Sequence, residues 1–372
     1  MVAEALAQVP ELDPNDIVDL MMGCGQPAGQ SGYNISRVVA VQLGYDLLPG
    51  TTVNRYCSSS LQTTRMAMHA IRAGEGDVFV SAGVESISSL VTGNADGMPR
   101  TKNPKFGEAR KRTAQLAEGG TDWSDPREVG LLPDVYVAMG QTAENVASLT
   151  GISREDQDYW ALRSQNRTEE AIKRGFFKRE ITPVTLPDGT VVSTDDGPRA
   201  GTSYEALAGL KPVFRPDGTV TAGNACPLND GAAALIIMSD TKAKALGLTP
   251  LARIVSTAVS GLSPEIMGLG PIEAVRKALA FAGKSISDID LFEINEAFAV
   301  QVIGSARQLG IDEDKLNISG GAIALGHPFG MTGARITTTL LNNLREQDKT
   351  FGVEAMCVGG GQGMAMVLER LS

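Results

Sequence analysis

The chain contains 372 residues, which is enough for two or more hydrophobic cores of ordinary domain size, about 100–150 residues each. Its formal net charge of −10 predicts no general basic surface for nucleic acid or for an anionic membrane. Four cysteines without zinc-site or disulfide-framework spacing indicate free thiols in a reducing compartment and no metal site. Because no signal peptide or apolar run of bilayer length is apparent, we expect a cytoplasmic protein without a membrane span, and the composition favours an enzyme.

The first part of the chain alternates between helix and strand patterns, as in an α/β fold. In chain order these patterns predict a helix, a buried strand, a second helix and another buried strand, over residues 2–8, 17–22, 35–43 and 77–86. From about residue 90 the sequence pattern changes: Pro-Asp and Asp-Gly turns become frequent and long apolar runs become few. This pattern predicts a large insertion rather than a separately folding unit. Within it we expect helices over 140–149 and 154–174, the second with Ser153 as N-cap and Asp156 in a near capping box.

A cysteine followed by three serines stands between a strand pattern and a long helix pattern within residues 51–68. This arrangement predicts that Cys57 lies at or just before a helix N-terminus, where free N–H groups and the positive end of the helix dipole favour a thiolate. The serines are natural cap residues for such a turn. A lone cysteine is more often inert core, so the catalytic interpretation of Cys57 depends on the residues that accompany it.

A nucleophilic thiol needs a base, and the chain has only two histidines. His69 falls inside the helix pattern that follows Cys57 and is predicted to be structural. His327 lies in a glycine-lined loop, residues 320–330, that opens another helix. A second cysteine wrapped in glycines, Cys357, together with His327 favours a catalytic role for Cys57.

The chain repeats itself: the pattern of residues 2–20 recurs over residues 275–291. The interval from Asp19 to Cys57 is 38 residues, and the interval from Asp290 to His327 is 37 residues. Two copies of one βα unit therefore each contribute a loop that opens a helix, and pseudo-twofold packing would bring both helix starts to one cleft. The predicted first core half covers residues 1–89 and is followed by an insertion over residues 90–229. The chain returns to the first half over residues 230–248, and the second core half covers residues 249–372.

The two copies differ at their beginnings. The second copy opens with a strand predicted over residues 251–256, whereas the first copy begins directly at its helix. A parallel strand in the centre of a sheet is not lost freely, because each neighbour would lose a ladder of hydrogen bonds at about 1 kcal/mol per bond. We therefore expect a chain that is shortened at its N-terminus and less stable than a form that carries the extra strand.

Four segments carry a resemblance to a known family: Tyr56–Ser60, Asn295–Phe298, Gly326–Pro328 and Cys357–Gly361. In this order they resemble the signature blocks of the thiolase family, and the similarity covers essentially the whole chain. The resemblance implies a duplicated βαβαβαββ fold in α/β/α/β/α layers, with the insertion as a loop domain that holds coenzyme A. It further implies no metal and no bound cofactor, with coenzyme A as a co-substrate.

The resemblance also implies roles for individual residues. Cys57 would carry the acyl group, His327 would activate it, and Cys357 would act as acid and base at the substrate α-carbon. Asn295 would hold a water that forms one oxyanion hole with His327, while the backbone N–H groups of Cys57 and Gly360 would form the other. Residues expected along the coenzyme A and pantetheine channel are Met139, Arg199, Val213, Phe214, Ala222, Cys226, Met267, Ala297 and Phe298.

The leading hypothesis is a 3-ketoacyl-CoA thiolase that releases acetyl-CoA and a shortened acyl-CoA. The condensation of two acetyl-CoA to acetoacetyl-CoA and a non-catalytic acyl-CoA-binding protein remain alternatives, whereas a ketoacyl synthase would want a second active histidine. Departures from the commonest pattern at Ala138, Cys226, Phe329 and Gln362 shift the pocket lining away from short-chain acetoacetyl substrates and resemble degradative acyltransferases of the actinobacterial type. We also expect a homodimer or homotetramer, with residues 78–82 at the dimer seam, and other β-oxidation enzymes as possible partners.

Overall fold

Two mixed four-stranded sheets with helices on both sides organise the protein, and the computed structural model describes residues 1–92, 95–120 and 122–372. The first half is built from α1 Val2–Ala7, β1 Asp19–Gly23, α2 Ile35–Gln42, β2 Gly50–Val53, α3 Ser59–Ala73 and β3 Val78–Glu85. The segment that follows contains α4 Gly107–Glu118, α5 Met139–Thr150, α6 Arg154–Lys173, the short strands β4 Val184–Thr185 and β5 Val191–Val192, and α7 Tyr204–Ala208. The chain then forms β6 Gly231–Met238 and α8 Asp240–Ala245. The second half comprises β7 Ala252–Gly261, α9 Gly270–Ala282, β8 Leu291–Ile294, α10 Ala299–Leu309, α11 Ala322–Leu325, α12 Thr332–Glu346, β9 Phe351–Val358 and β10 Gln362–Arg370.

Most elements expected from the sequence are present, with boundaries shifted by a few residues. The capping box that starts α6 forms both of its bonds, between the Ser153 side chain and the Asp156 backbone and in the reverse direction. Helix α9 ends at Gly283, whose positive φ of 64° suits the left-handed position after a helix. The predicted helix over residues 154–174 is therefore confirmed.

The two sheets have corresponding topologies, which confirms the internal repeat. The first sheet has the strand order β2-β1-β3-β6, with β6 antiparallel to β3, and the second has the order β7-β10-β9-β8, with β10 antiparallel to β9. Helices α3 and α12 pack against each other between the sheets, α1 and α2 cover the outer face of the first sheet, and α9 covers the second. The fold is thus the predicted α/β/α/β/α arrangement of two related halves.

The structure corrects the expectation about the opening strand of the first half. Strand β7 lies at the edge of its sheet and pairs only with β10, so the equivalent position in the first half is an edge position beside β6. No strand among the described residues pairs with that edge of β6. The interpretation of this position as a central strand is wrong. A strand there would form one ladder of hydrogen bonds, with β6, and not one on each side.

The expectation that residues 78–82 form a dimer seam is also wrong. Strand β3 pairs with β1 on one side and with β6 on the other, and Val78, Phe79 and Val80 are buried within a single chain. Its apolar character on both faces follows from its central place between two helix layers.

The segment between β3 and β6 packs on the second half. Val146 of α5 and Trp160 of α6 share one buried cluster with Val300 and Ile303 of α10. The predicted limits of the insertion, 90–229, remain a prediction, and Gly93, Asn94 and Thr121 within it lie outside the described residues. None of the helices in the described part of the chain combines the length and apolar character that a membrane crossing requires.

Candidate active site

Cys57 lies in a 3-10 turn, Tyr56–Ser58, directly before the first residue of α3, as the sequence predicts. Tyr56 holds a left-handed backbone with φ of 42°, a conformation that costs a non-glycine residue about 1–3 kcal/mol and is often found at functional sites. The predicted serine caps are wrong, because the Ser58 side chain makes no cap bond to α3. Instead, the Ser59 hydroxyl accepts from Arg55 N at 2.9 Å and donates to Tyr56 O at 2.6 Å, which ties the turn together.

The Cys57 side chain is a neutral thiol at rest, contrary to the expected thiolate. Burial raises the pKa of Cys57 to about 11, although the backbone N–H groups of Gly359 and of Cys57 itself act in the opposite direction. The desolvation of a buried charge therefore outweighs the favourable position before the helix. A thiol in this state reacts only when a base removes its proton during the attack.

His327 is held in the protonation state that a base requires. Its ring is 2% exposed, and Nδ1 lies 2.6 Å from the hydroxyl of Thr332. Since that hydroxyl donates its own hydrogen to Pro328 O at 2.8 Å, it must accept from Nδ1–H, which leaves Nε2 without a proton. Burial, together with the positive charge of Arg335, lowers the pKa of His327 to about 3, so the imidazole is neutral at rest.

The Nε2 atom of His327 and the side-chain amide of Asn295 are buried and have no hydrogen-bond partner within the described residues. Asn295 follows the last residue of β8, and its backbone N–H donates to Ala355 O at 3.0 Å, which fixes the residue at the end of the sheet. Free polar atoms at such a position are available to a substrate or a water molecule.

Cys357 lies near the end of β9 and is fully buried, and this burial raises its pKa well above the usual value of a thiol. Its ionisation is further opposed by the neighbouring thiols of Cys57 and Cys226. After the strand, Gly360 and Gly361 adopt φ values of 79° and 81°, which form the turn into β10. The structure therefore brings three of the four thiols into one electrostatic neighbourhood.

The turn after Cys357 is attached to the turn that carries Cys57. The Gln362 amide donates to Gly359 O at 3.3 Å and accepts from the Arg55 guanidinium at 3.0 Å. A Cβ on Gly359 would lie 3.5 Å from the Tyr56 ring and 3.8 Å from Met139 Sδ. The two turns and the start of α5 therefore meet around Cys57.

Glu296 holds the loop that precedes His327. Its fully buried carboxylate accepts hydrogen bonds from α6, from the turn after α10 and from α11, through Trp160 Nε1, Ser164 Oγ, Asn317 Nδ2 and Ile323 N. One side chain beside Asn295 thus fixes three elements around the site.

Six of the nine expected channel residues lie together. Met267, Ala297 and Phe298 are buried in the large cluster of the second half, against which Met139 and Phe214 pack. The rings of Phe214 and Phe298 are 6.2 Å apart in an edge-to-face contact, and Cys226 N donates to Ala297 O at 3.1 Å. The remaining three, Arg199, Val213 and Ala222, are exposed, and their contact with coenzyme A stays a prediction.

The sequence did not indicate roles for Thr332 or Glu85, and it pointed to Gly359 only as a member of the Cys357–Gly361 segment. Thr332 follows His327 by five residues, and nothing in that spacing indicates a bond to the imidazole. His69 is exposed on α3, so of the two histidines only His327 is buried in the site. No group of three or more His, Cys, Asp or Glu side chains suited to a metal ion occurs in the described ranges.

A buried carboxylate lies on the same strand as Cys357. Glu354 is fully buried, sits opposite Glu293 in the parallel pairing of β9 with β8, and accepts from the Thr337 hydroxyl at 2.8 and 3.0 Å. Burial raises the pKa of Glu354 to about 8, while Thr337 and Arg335 act in the opposite direction. The folded protein therefore keeps a proton on Glu354 at pH values where the unfolded chain has lost it.

We expect the contribution of Glu354 to the free energy of unfolding to fall as pH rises from about 4.5 to 8 and then to level off, because this pKa is raised in the folded state. In Glu354→Gln this contribution is absent, so the loss of Tm between pH 6 and pH 8 should shrink by about 2 °C or more. Thermal melts of both proteins at the two pH values measure the difference. Equal losses in the two proteins would contradict the raised pKa.

Family models match both halves of the chain: "Thiolase, N-terminal domain" over residues 1–241 and "Thiolase, C-terminal domain" over residues 248–370. The chain is 42% identical over 367 residues to a 3-ketoacyl-CoA thiolase of Bacillus subtilis, covering 95% of this chain and 88% of that one. It is 43% identical over 377 residues to the 3-oxoadipyl-CoA/3-oxo-5,6-dehydrosuberyl-CoA thiolase of Escherichia coli, covering 99% and 91%.

Among solved structures, the acetyl-CoA acetyltransferase of Bacillus anthracis matches with a TM-score of 0.85 and 39% identity, over all of this chain and 91% of that chain. The duplicated fold, the order of the four sequence blocks and these similarities agree with one another. The chain belongs to the thiolase family of acyltransferases.

Proposed function

We propose that the protein cleaves 3-ketoacyl-CoA with coenzyme A and releases acetyl-CoA and an acyl-CoA two carbons shorter. The observation that carries this proposal is a pair of neighbouring buried neutral thiols, from β9 and from the turn before α3, together with an imidazole whose Nε2 is free to accept a proton, on a loop that is hydrogen-bonded to the start of α3. Two thiols with separate proton-handling roles suit a reaction in which one carbon–carbon bond is exchanged for a thioester bond.

In the first half-reaction, Nε2 of His327 takes the proton of the Cys57 thiol as Sγ attacks the 3-keto carbon. The bond between C2 and C3 then breaks, its electron pair moves to C2, and the Cys357 thiol protonates that carbon. Acetyl-CoA leaves and the remaining acyl group stays on Cys57. The raised pKa of Cys357 supports its role, because the thiol keeps its proton until the carbanion forms.

In the second half-reaction, the Cys357 thiolate takes the proton of coenzyme A, whose sulfur attacks the acyl group on Cys57. The departing Cys57 sulfur regains its proton from His327, and both residues return to their resting states. Stabilisation of the developing oxyanions is assigned to Asn295 with His327 at one position and to the backbone N–H groups of Cys57 and Gly360 at the other. The free side-chain amide of Asn295 supports the first assignment.

Condensation of acyl-CoA with acetyl-CoA uses the same groups in the reverse order, and the relatives include enzymes named for both kinds of reaction. Thiolysis should therefore be measured with 3-ketoacyl-CoA substrates from acetoacetyl-CoA to long chains, alongside condensation of acetyl-CoA. We expect faster thiolysis of substrates longer than acetoacetyl-CoA. Condensation without thiolysis of any chain length would refute the proposed direction, and the absence of both reactions would favour an acyl-CoA-binding protein.

Thr332 offers a test of the proposed base. In Thr332→Val, Nδ1 loses its acceptor, so the tautomer with a free Nε2 is no longer favoured and kcat should fall about 10- to 100-fold. Thr332→Ser keeps the hydroxyl and serves as the matched control, with kcat close to that of the wild type. If Thr332→Val retained full turnover, the hydroxyl would not set the state of His327.

We further propose a homodimer formed through the outer edge of the first sheet. Strand β2 has no partner on its outer side among the described residues, and beside it Tyr33, Val41 and Leu47 are 97%, 47% and 90% exposed. An open strand edge next to exposed apolar side chains favours pairing with a second copy. Light scattering should give at least twice the mass of one chain, and a fully active monomer would contradict the proposal.

The proposed setting is fatty-acid β-oxidation in the cytoplasm, with other enzymes of that process as possible partners. The support is chemical: all four cysteines are free thiols, and a site built on two reduced thiols requires a reducing compartment.

A further inference from the structure

Glu85 is a buried carboxylate whose hydrogen bonds join the two halves of the protein. It is the last residue of β3 and is 1% exposed. Its two oxygens accept from three backbone N–H groups, Gly25 at 2.7 Å, Gln26 at 2.9 Å and Gly330 at 2.7 Å. Within the described residues it forms no ion pair with Lys or Arg. Burial raises the pKa of Glu85, and the three backbone N–H groups and the Cys24 thiol act in the opposite direction by stabilising the carboxylate.

The three donors come from different parts of the fold. Gly25 and Gln26 follow β1 in the first half, whereas Gly330 follows His327 by three residues in the second half. The same loop is bound from the start of α3, where Ser60 N donates to Gly330 O at 3.1 Å and the Ser60 hydroxyl accepts from Ala334 N at 3.0 Å. The His327 loop is therefore fixed to the half that carries Cys57.

The loop has no room to move sideways at this point. A Cβ on Gly330 would lie 2.3 Å from Val84 O and 2.7 Å from the Cα of Cys24, so the backbone of Gly330 is inserted between the ends of β3 and β1. At this position the Glu85 carboxylate, at the end of β3, accepts the hydrogen bond from Gly330 N–H. The position of His327 relative to Cys57 thus depends on a contact between halves.

We propose that Glu85 is a positioning residue for acylation, whose carboxylate holds the His327 loop of one half against the Cys57 turn of the other. This inference rests on the proposed function, since it assigns His327 as the base for Cys57. Loss of the contact would leave both catalytic side chains intact and change only their relative placement. Small displacements of this kind lower turnover strongly because the reacting groups must be aligned.

The charge of Glu85 also acts on Cys57. It disfavours ionisation of the thiol, whereas the hydrogen bonds of Glu85 favour the alignment that the reaction of the thiol requires. The negative carboxylate raises the pKa of Cys57, after the larger effect of burial. The other titratable group in contact is Cys24, whose Sγ lies 3.7 Å from Glu85 Oε1. Removing the charge should therefore make Cys57 easier to ionise while the alignment with His327 is lost.

Glu85→Gln is the decisive variant, because its amide keeps one oxygen but turns an NH2 group towards at least one of the three backbone donors. We expect kcat for thiolysis to fall about tenfold or more, with KM for coenzyme A unchanged within about twofold. Alkylation of Cys57 by iodoacetamide at pH 8 should become about threefold faster, because the negative charge that opposes ionisation of the thiol is removed. Glu85→Asp keeps the charge with a shorter reach, so its kcat should fall without faster alkylation.

Glu354→Gln is the matched control, a second buried glutamate that contacts neither catalytic loop, and its kcat should stay within about twofold of the wild type. Wild-type turnover in Glu85→Gln would overturn the proposal. So would a loss of turnover in which Cys24, Cys226 and Cys357 also become reactive, since that result means general unfolding. The alkylation rates need no substrate, so they remain informative even if the enzyme is found to act only in condensation.

Discussion

Cys57→Ala is expected to abolish acylation of the protein and to lower turnover by a factor of about 10⁴ or more, because no other group in the described site is placed to carry the acyl chain. The nucleophile assignment depends on its position before α3, the nearby Gly359 N–H and the supply of a neutral imidazole. Mass spectrometry of the intact protein after incubation with an acyl-CoA measures the label directly.

The control for this experiment is Cys24→Ala. Cys24 is fully buried, and burial raises its pKa to about 12, so it should neither react nor accept an acyl group. This variant should take up one acyl group, on Cys57. Acyl label on Cys24 or Cys226 of the wild-type protein would contradict the assignment of the nucleophile.

Cys357→Ser is expected to separate the two half-reactions. The variant should still be acylated at Cys57 by an acyl-CoA donor, because the departing coenzyme A thiolate is a stable leaving group that depends far less on the Cys357 proton than a carbanion does. Cleavage of 3-ketoacyl-CoA should fall about 10²- to 10⁴-fold, since a serine hydroxyl is a far weaker acid than a thiol for protonating the substrate α-carbon. The rates of acylation and cleavage are compared in the same preparation.

Equal losses in acylation and in cleavage would contradict this division of roles and would mean that Cys357 supports the structure of the site. The melting temperature must be measured as well, because a buried serine hydroxyl without a strong hydrogen-bond partner beside Cys57 and Cys226 would destabilise the folded protein. A variant that melts as the wild type does and still loses only cleavage supports a chemical role.

The sequence by itself determined the elements whose causes are local or repeated. The serine-rich turn between a strand pattern and a helix pattern located Cys57, and the Ser153–Asp156 pair located the start of α6. These features depend on residues within a few positions of each other, so a linear pattern contains them. The repeat between residues 2–20 and 275–291 also predicted two related halves, because equivalent sequence intervals lead to equivalent strands and helices.

Only the tertiary structure decided the state of the site and the places of the strands. The sequence favoured a thiolate at Cys57, but burial by chain segments remote from the helix makes the neutral thiol the resting form. The tautomer of His327 depends on its hydrogen bond with Thr332. Strand β3 is central because it pairs with β6 as well as β1, and Glu85 connects the two halves through its bond from Gly330 N. Desolvation, strand order and contacts between halves all involve residues far apart in the chain, and a local pattern holds no information about which distant atoms will surround a side chain.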